Sequence, residues 1–508
     1  MPSQAPFNSD VTIANNRSFD HGHADLERGD VQPSSAEREK KPEKPDLVVW
    51  DGPDDPQNPQ NWPRSKKIRV TILYGMTTMC ATFASSIFAS ASPFIAKDYG
   101  LSTEVTILGL SLFLLGFGFG PVLWAPLSEV YGRKTAILVP MFVFICLSAG
   151  TATAENAQTI FVTRFFGGVM ASSPVTIVGG GIADIFNQRE RGSMIVIYSL
   201  CIVGGPTIAP VIGSAMSESY LTWRWTEYIV VILGSVVLAT NMLFLPETSA
   251  AVILTAKARS LRLKTGNWAL HSQHEEVDRT IMTFLRTTLF LPLKMLGQEP
   301  MLLLIALYNA FAYGILYLLF AAIPIIYGET RGWGSVSASL PNLATLVGTL
   351  LAAGLNFVYA SHFFKRYMDT HGGRAPPERR LPPMMVGSIA FPIGFFIIGW
   401  TSNPSIHWFP SLIGLVLVGM SFLLIFQAGI NYLIDAYTRV SASAIAANTF
   451  CRSLLGAAFP LIAQPLFHNL GVNWACTLLG CIGILLGITP FLFFRFGARH
   501  VWSCNPPW

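Results

Sequence analysis

Two arginines and a few carboxylates stand where ionisable groups are costly. Arg164 and Arg452 fall inside long apolar runs, and a cation in hydrocarbon costs several kcal/mol unless it faces the protein interior and finds a partner. Such residues can bind an anionic group, hold a carboxylate for proton exchange, or pair with backbone carbonyls. The alternative for Arg164 is a place near the outer end of its run, from which the guanidinium snorkels to water. Asp184, Glu227 and Asp435 lie towards the ends of their runs, positions that are normally solvated; Asp184 and Glu227 are the available proton carriers. The middles of the first five runs hold no carboxylate, which argues against a polycationic cargo. Uncharged polar groups recur near helical spacing in later runs: Tyr308, Asn309, Tyr313 and Tyr317, then Gln427, Asn431 and Tyr432, then Asn448 beside Arg452. Facing a cavity near the midplane, they would form an aromatic, amide-lined pocket for a flat, partly polar organic molecule. Tyrosine stripes serve equally as packing or as interfacial anchors.

Bond-making chemistry is not encoded with the same clarity. His271, His274, Glu275 and Glu276 are the nearest approach to a catalytic cluster, but they sit in a polar linker without a supporting scaffold. The seven cysteines include no CxxC pair and no neighbouring histidine at metal-ligand spacing. No enzymatic activity, cofactor or metal is expected.

The elements that position these residues follow from hydropathy. Apolar residues make up 51% of the chain and charged residues only 12%, with a mean hydropathy of +0.47; soluble domains average about 25% charged residues. Runs of roughly 20 residues recur near 68–92, 103–125, 135–154, 159–183, 193–216 and 226–246, and again near 301–327, 336–360, 382–400, 408–433, 442–467 and 472–496. Each can cross ~30 Å of hydrocarbon as a helix. The fold class is therefore an all-α integral membrane protein of twelve transmembrane helices in two six-helix halves, residues 64–247 and 301–497, joined by a linker over 248–300. Residues 1–63 read as a disordered tail and 498–508 as a short C-terminal one. The sequon at Asn16 is expected to be bare, and the segment DGPDDPQNPQNWP before the first run to lie along the membrane surface with Trp62 at the interface.

Loop charge gives the orientation, because Lys and Arg accumulate in cytoplasmic loops. Alternate connections carry Arg64, Lys66, Lys67 and Arg69, then Arg133 and Lys134, Arg189 and Arg191, the linker cations, Lys365 to Arg380, Arg439, and Arg495 with Arg499. The others carry only Lys97, Arg224 and Arg331. Both termini are thus expected in the cytoplasm. A formal charge of +5 does not indicate nucleic-acid binding, since the cations are dispersed over separate short loops. The expected partners are the lipid bilayer and a small-molecule substrate.

The turn between the second and third runs, Ala125-Pro126-Leu127-Ser128-Glu129-Val130-Tyr131-Gly132-Arg133-Lys134, resembles the loop motif of the major facilitator superfamily. It keeps Gly132, Arg133 and Lys134 and places Ala125, Glu129 and Val130 where the family has Gly, Asp and Arg. The likeness implies a latch: Glu129 would pair with cations or a helix N-terminus and hold the halves together on the cytoplasmic side. Arg164 to Ala171 is similar to the family's second motif, with Gly167 and Gly168 allowing close helix approach. Gly204 to Ser214, with Gly205, Pro206, Pro210 and Gly213, resembles its antiporter motif; two prolines four apart kink a helix that could rock against its neighbour. Ala183 to Gly192, Trp223 to Tyr228, Leu245-Pro246-Glu247-Thr248 and Arg452 to Pro460 complete a likeness to the twelve-span fungal drug:proton antiporters. That likeness implies a monomeric alternating-access exporter at the plasma membrane, moving a secondary metabolite, toxin or drug against protons, with Arg164, Asp184, Glu227 and Arg452 in coupling or substrate binding. An organic-acid or polyamine transporter, or a passive facilitator of the same fold, is the alternative.

Overall fold

A chain crossing hydrocarbon must satisfy its backbone donors and acceptors internally, so each apolar run becomes a helix. The computed structural model describes residues 46–276, 290–371, 375–437 and 440–501, leaving aside the side chains at 188, 189, 193, 441, 442 and 497–501. The expected disordered tail up to residue 45, with the Asn16 sequon, and the C-terminal residues 502–508 lie outside the described residues, as does linker stretch 277–289.

The first six spanning helices are α1 Arg64–Tyr99, α2 Thr103–Tyr131, α3 Arg133–Ala152, α4 Ala157–Ile185, α5 Gln188–Glu218 and α6 Arg224–Phe244. They are followed by α7 Pro300–Ile323, α8 with its central part at Asn342–Val358, α9 Pro382–Thr401 and α10 Phe409–Ala436. The remaining stretch, Ser441–Val501, would be about 90 Å long as one helix, three times the hydrocarbon thickness. Gly471, at φ 74 and ψ 160, breaks it into α11 (441–470) and α12 (472–501), giving twelve spans. The ends are set locally. Asn156 caps α4 by accepting from Thr159 N–H at 2.8 Å, and left-handed Gly100 closes α1 with its N–H on Ala96 O.

Large apolar side chains such as Phe142, Val162, Leu243, Leu351 and Leu485 point outward, as expected of a surface solvated by lipid. Glycine brings helices together inside. A Cβ on Gly168 would overlap the Phe113 carbonyl, and one on Gly116 the Phe165 carbonyl, so α2 and α4 touch backbone to backbone. The same device joins α8 to α10, where Gly348 abuts Val416 O and Gly419 abuts Thr345 O.

On the basic face, where the cation-rich connections lie, residues 46–63 do not form the expected disordered tail. The Asp55 carboxylate folds them into a strap: it accepts N–H bonds from Asp51 at 3.0 Å and Gln57 at 2.8 Å and pairs with Lys257 at 3.2 Å. Lys257 also binds Asp51 at 2.8 Å and belongs to the linker helix Ala250–Thr265. Val48 N–H donates to His271 O at 2.8 Å, and His271 N–H to Asp46 O at 3.0 Å. Trp62 is buried rather than interfacial, with the Lys66 ammonium 3.6 Å from its ring. The Asp and Asn side chains supply the local hydrogen bonds that the prolines cannot.

The Asp51 and Gln57 amides, with Lys257 beside them, hold the Asp55 carboxyl below the usual carboxylate range. A depressed acid contributes stability above its unfolded pKa and loses it as pH falls through the folded one. Amide exchange protection over residues 48–61 should therefore be level from neutral pH to about pH 5 and collapse below about pH 4. Asp55→Asn should lack that protection throughout; an acid-resistant strap would show that Asp55 does not organise it.

Candidate functional site

Arg164, 2% exposed, sits two turns into α4 and does not snorkel. Its guanidinium donates to Ala84 O at 3.0 Å, Gly109 O at 3.3 Å and Ser85 O at 3.4 Å, and to Glu227 Oε1 at 3.4 Å. The rings of Phe113 and Phe88 lie 4.3 and 4.6 Å from its Cζ. One cation thus joins α1, α2, α4 and α6. Glu227 corrects the expectation of a solvated end position. Although in the first turn of α6, it is 0% exposed, because the chain enters that helix through buried Trp223 and Thr226 rather than through water. Trp223 Nε1 is tied to Asp98 at 2.7 Å, and Arg224 to Ala152 O and Ala154 O at 2.8 Å. Glu227 Oε2 has no hydrogen-bond partner among the described residues. A buried ion pair with one oxygen unmatched is held by its surroundings more than by its own attraction.

The pair connects to the second half. Ser85, whose carbonyl receives Arg164, places its hydroxyl 2.7 Å from the Tyr317 hydroxyl in α7, and Tyr313 Oη donates to Tyr317 Oη at 3.3 Å. Arg452 in α11 stacks on Tyr313 at 4.6 Å and on Phe426 at 5.1 Å. Arg452 is 3% exposed, its Nε lacks a partner, and it makes no ion pair among the described residues. Glu227, Arg164, Ser85, Tyr317, Tyr313 and Arg452 therefore form one polar path through otherwise apolar surroundings.

Several of the other candidate binding groups bond across to a neighbouring helix, while Tyr432 Oη and Asn309 Oδ1 have no hydrogen-bond partner among the described residues. Tyr308 donates to Ser388 at 2.9 Å, the Asn309 amide to Asn448 at 3.1 Å, and Asn356 to Gln427 at 3.1 Å. Inside closely packed spans a polar side chain finds its bond on the next helix. Gln427 and Asn431 also line a gap of about 20 Å³, room for about one water. The larger space, about 430 Å³, lies at the basic face, between the α1, α4 and α5 ends and the α8 to α9 segment. At the opposite face Val336 N–H donates to Glu218 at 3.2 Å, joining the two halves there.

Helix α5 packs on α1 along small residues. A Cβ on Gly205 would meet Thr82 Oγ1 at 2.6 Å, and one on Gly213 would meet Ile87 Cγ1 at 3.0 Å. Pro210 lacks the N–H that would bond Pro206 O, and Ser86 supplies the replacement, donating to that carbonyl at 2.9 Å; Ser90 donates to Pro210 O at 2.9 Å. An unpaired buried carbonyl would cost about 1–3 kcal/mol.

At the turn between α2 and α3, Glu129 is exposed and makes no hydrogen bond or ion pair among the described residues. The acid that organises the turn is Glu247. Its carboxylate accepts from Arg133 N and Lys134 N at 2.8 and 3.0 Å, capping α3, and from Thr248 N and Ser249 N at 2.9 and 2.8 Å. Gly132, at φ 90, lies against it so closely that a Cβ would overlap the carboxylate. The Arg133 side chain reaches Asp184 at 3.1 Å and Ser128 at 2.6 Å, and Lys134 reaches Met242 O at 3.4 Å. Sequence reasoning passed over Glu247, Ser85 and Lys67. The Leu245-Pro246-Glu247-Thr248 tetrapeptide was the one local signal for the first; Ser85 and Lys67 resemble their neighbours in type.

The model of the Major Facilitator Superfamily matches residues 74–460. The efflux pump bik6 of Gibberella fujikuroi is 44% identical over 91% of this chain and 95% of its own length. The citrinin biosynthesis cluster MFS transporter mrr1 of Monascus ruber is 41% identical over 97% of this chain and 98% of its own. Among solved structures, the xylose transporter XylE from E. coli, in a partially occluded inward open conformation, aligns with a TM-score of 0.58 at 14% identity, covering 85% of this chain and 99% of that one.

Proposed function

Since the chain belongs to the major facilitator superfamily, we propose that it exports a small organic molecule, a secondary metabolite, toxin or drug, by alternating access coupled to proton entry. The observation that carries this reading is the buried Arg164–Glu227 pair and its path into the other half. Protonating Glu227 turns an ion pair into a bond between a cation and a neutral carboxyl, and the Coulomb attraction that held the guanidinium to α6 is lost. The guanidinium then redistributes over the α1 carbonyls at Ala84 and Ser85, and Ser85 is the residue that holds Tyr317. Proton state at Glu227 is thereby transmitted to the contact between the halves.

The halves, 64–247 and 301–497, rock about this seam, with α5 sliding on α1 at Gly205, Pro206, Pro210 and Gly213. The Gly132, Arg133, Lys134 and Asp184 cluster keeps the basic end of the first half rigid. Glu129 engages when the basic face closes, which leaves it unpartnered here. The basic face is cytoplasmic by the positive-inside rule, with both termini on that side. The protein acts as a monomer in the plasma membrane, as a transporter and not an enzyme.

A deletion and overexpression pair, with small molecules profiled in medium against cell extract, identifies the cargo; unchanged partition of every compound would leave export unsupported. With cargo in hand, proteoliposomes should acidify internally as cargo moves out. Glu227→Gln should keep cargo exchange down its own gradient and lose the pH change. Cargo movement without proton movement in the parent protein would leave a facilitator.

A further inference from the structure

We infer that the vestibule at the basic face is a binding site for an oxyanion, a carboxylate or phosphate carried on an apolar, aromatic body. Lys67 carries the inference. It is 9% exposed, yet its ammonium makes one hydrogen bond, to Gln60 O at 2.8 Å, and no ion pair among the described residues. Buried charges in proteins are normally paired. Lys67 keeps unused donors and lines the cavity of about 430 Å³. Arg64 and Lys365 line the same cavity without a partner among the described residues, and Arg380 reaches it while bonded to Asp435 at 2.8 Å. Glu190 and Asp369 are the carboxylates of that wall, so cations outnumber anions there.

The rest of the lining suits the body of such a ligand. Trp62 from the strap and Phe186 from the first half line the cavity together with Phe357 and Phe364 from the second. The strap is what buries Lys67: Gln60 belongs to the short helical turn Pro59–Asn61, which Asn58 caps by accepting from Gln60 N at 3.1 Å. The site is thus pre-organised by residues 51–62 and not by a chance meeting of surface lysines. Deeper in the molecule Arg452 repeats the pattern, a buried guanidinium against aromatic rings with no carboxylate partner among the described residues. An organic anion passing from Lys67 to Arg452 would meet an unpaired cation at each end of the route. Its use as the cargo's entry rests on the export reading, whereas the site itself does not.

Equilibrium binding tests the site without any transport. The full chain, in nanodiscs of neutral lipid, is titrated with 1-naphthoate, 1-naphthol and 1-naphthylmethylammonium. Naphthoate should bind tightest, and Lys67→Gln should weaken it by about tenfold. Lys365→Gln, on the exposed opposite wall and remote from the strap, should weaken it less while leaving the thermal midpoint unchanged. A lipid source is distinguished by mass spectrometry of the purified protein: an anionic phospholipid retained by the parent and lost in Lys67→Gln, with naphthoate excluded, keeps the oxyanion site and assigns it to a headgroup. Equal binding of the three naphthalenes, or neither naphthoate nor anionic lipid bound, overturns the inference. Export can fail in cells while naphthoate binding stands, so the two readings fall separately.

Discussion

Replacing Arg164 by alanine is expected to abolish transport, with the protein still reaching the membrane. The substitution removes four hydrogen bonds and two ring contacts at once. It also leaves Glu227 fully buried with neither oxygen partnered, a situation worth about 3–5 kcal/mol against the folded state. Stability loss could by itself silence a transporter, so the second substitution decides. Arg164→Ala with Glu227→Gln removes the stranded charge and should recover most of the thermal midpoint, the two sites being in contact and strongly non-additive. Transport should stay absent in the double variant, because the guanidinium that ties α4 to the α1 and α2 carbonyls beside the Ser85–Tyr317 contact is gone. Transport restored together with stability would reduce Arg164 to a structural tie, and normal transport in Arg164→Ala would remove it from the site.

The contrast between Arg164 and Glu227 shows how far one-dimensional reading reaches. Arg164 was legible because a cation among Phe, Gly and Val breaks an apolar run, and the cost of burying it forces an interior position. Glu227 stands between Thr226 and Tyr228 at the very start of its apolar run, just after Arg224, which is how a solvated end looks in sequence. Its burial is created by α1 and α3 packing against α6 and by Arg164 reaching across from α4, a long-range event with no local signature. The amide and tyrosine stripes show a different limit. Helical spacing correctly placed Asn309, Gln427 and Asn448 on inward faces, but inward faces of a twelve-helix bundle mostly meet other helices. Tyr313 and Tyr317 meet the first half through Ser85, and Gln427 and Asn431 line a gap with Gly192 of that half. The spans themselves were the most legible feature, down to the last pair, because hydrocarbon thickness fixes their length and Gly471 supplies the break. Residues 46–63 were read as the end of a polar tail, with Asp51 to Pro63 laid along the membrane surface because proline and asparagine set extended and turn geometry. That composition forbids a helix but does not forbid a strap fastened by Asp55 to a linker lysine 202 residues away.

Removing the Glu247 carboxylate should destabilise the protein far more than removing Glu129, reversing the ranking that the loop motif suggests. Glu247 accepts four backbone N–H bonds at 2.8–3.0 Å, two from the first turn of α3 and two from the start of the linker helix. Charged hydrogen bonds contribute about 1.5–3 kcal/mol each, and the helix dipole adds to the two at α3. Water at the half-exposed site will replace some of this, so Glu247→Ala should cost about 3 kcal/mol in all. Gly132→Ala attacks the same contact from the other side, by occupying φ 90 with a Cβ that must push the carboxylate away, and should cost a comparable amount. Glu129→Gln, exposed and unpartnered among the described residues, should shift stability by less than about 0.5 kcal/mol. If Glu129 latches the basic face on closing, its variant should nevertheless transport more slowly at normal surface level. Thermal midpoints and flux measured on the same preparations separate the roles. A stable Glu247→Ala variant would remove the cap from the account, and unimpaired flux in Glu129→Gln would remove the latch.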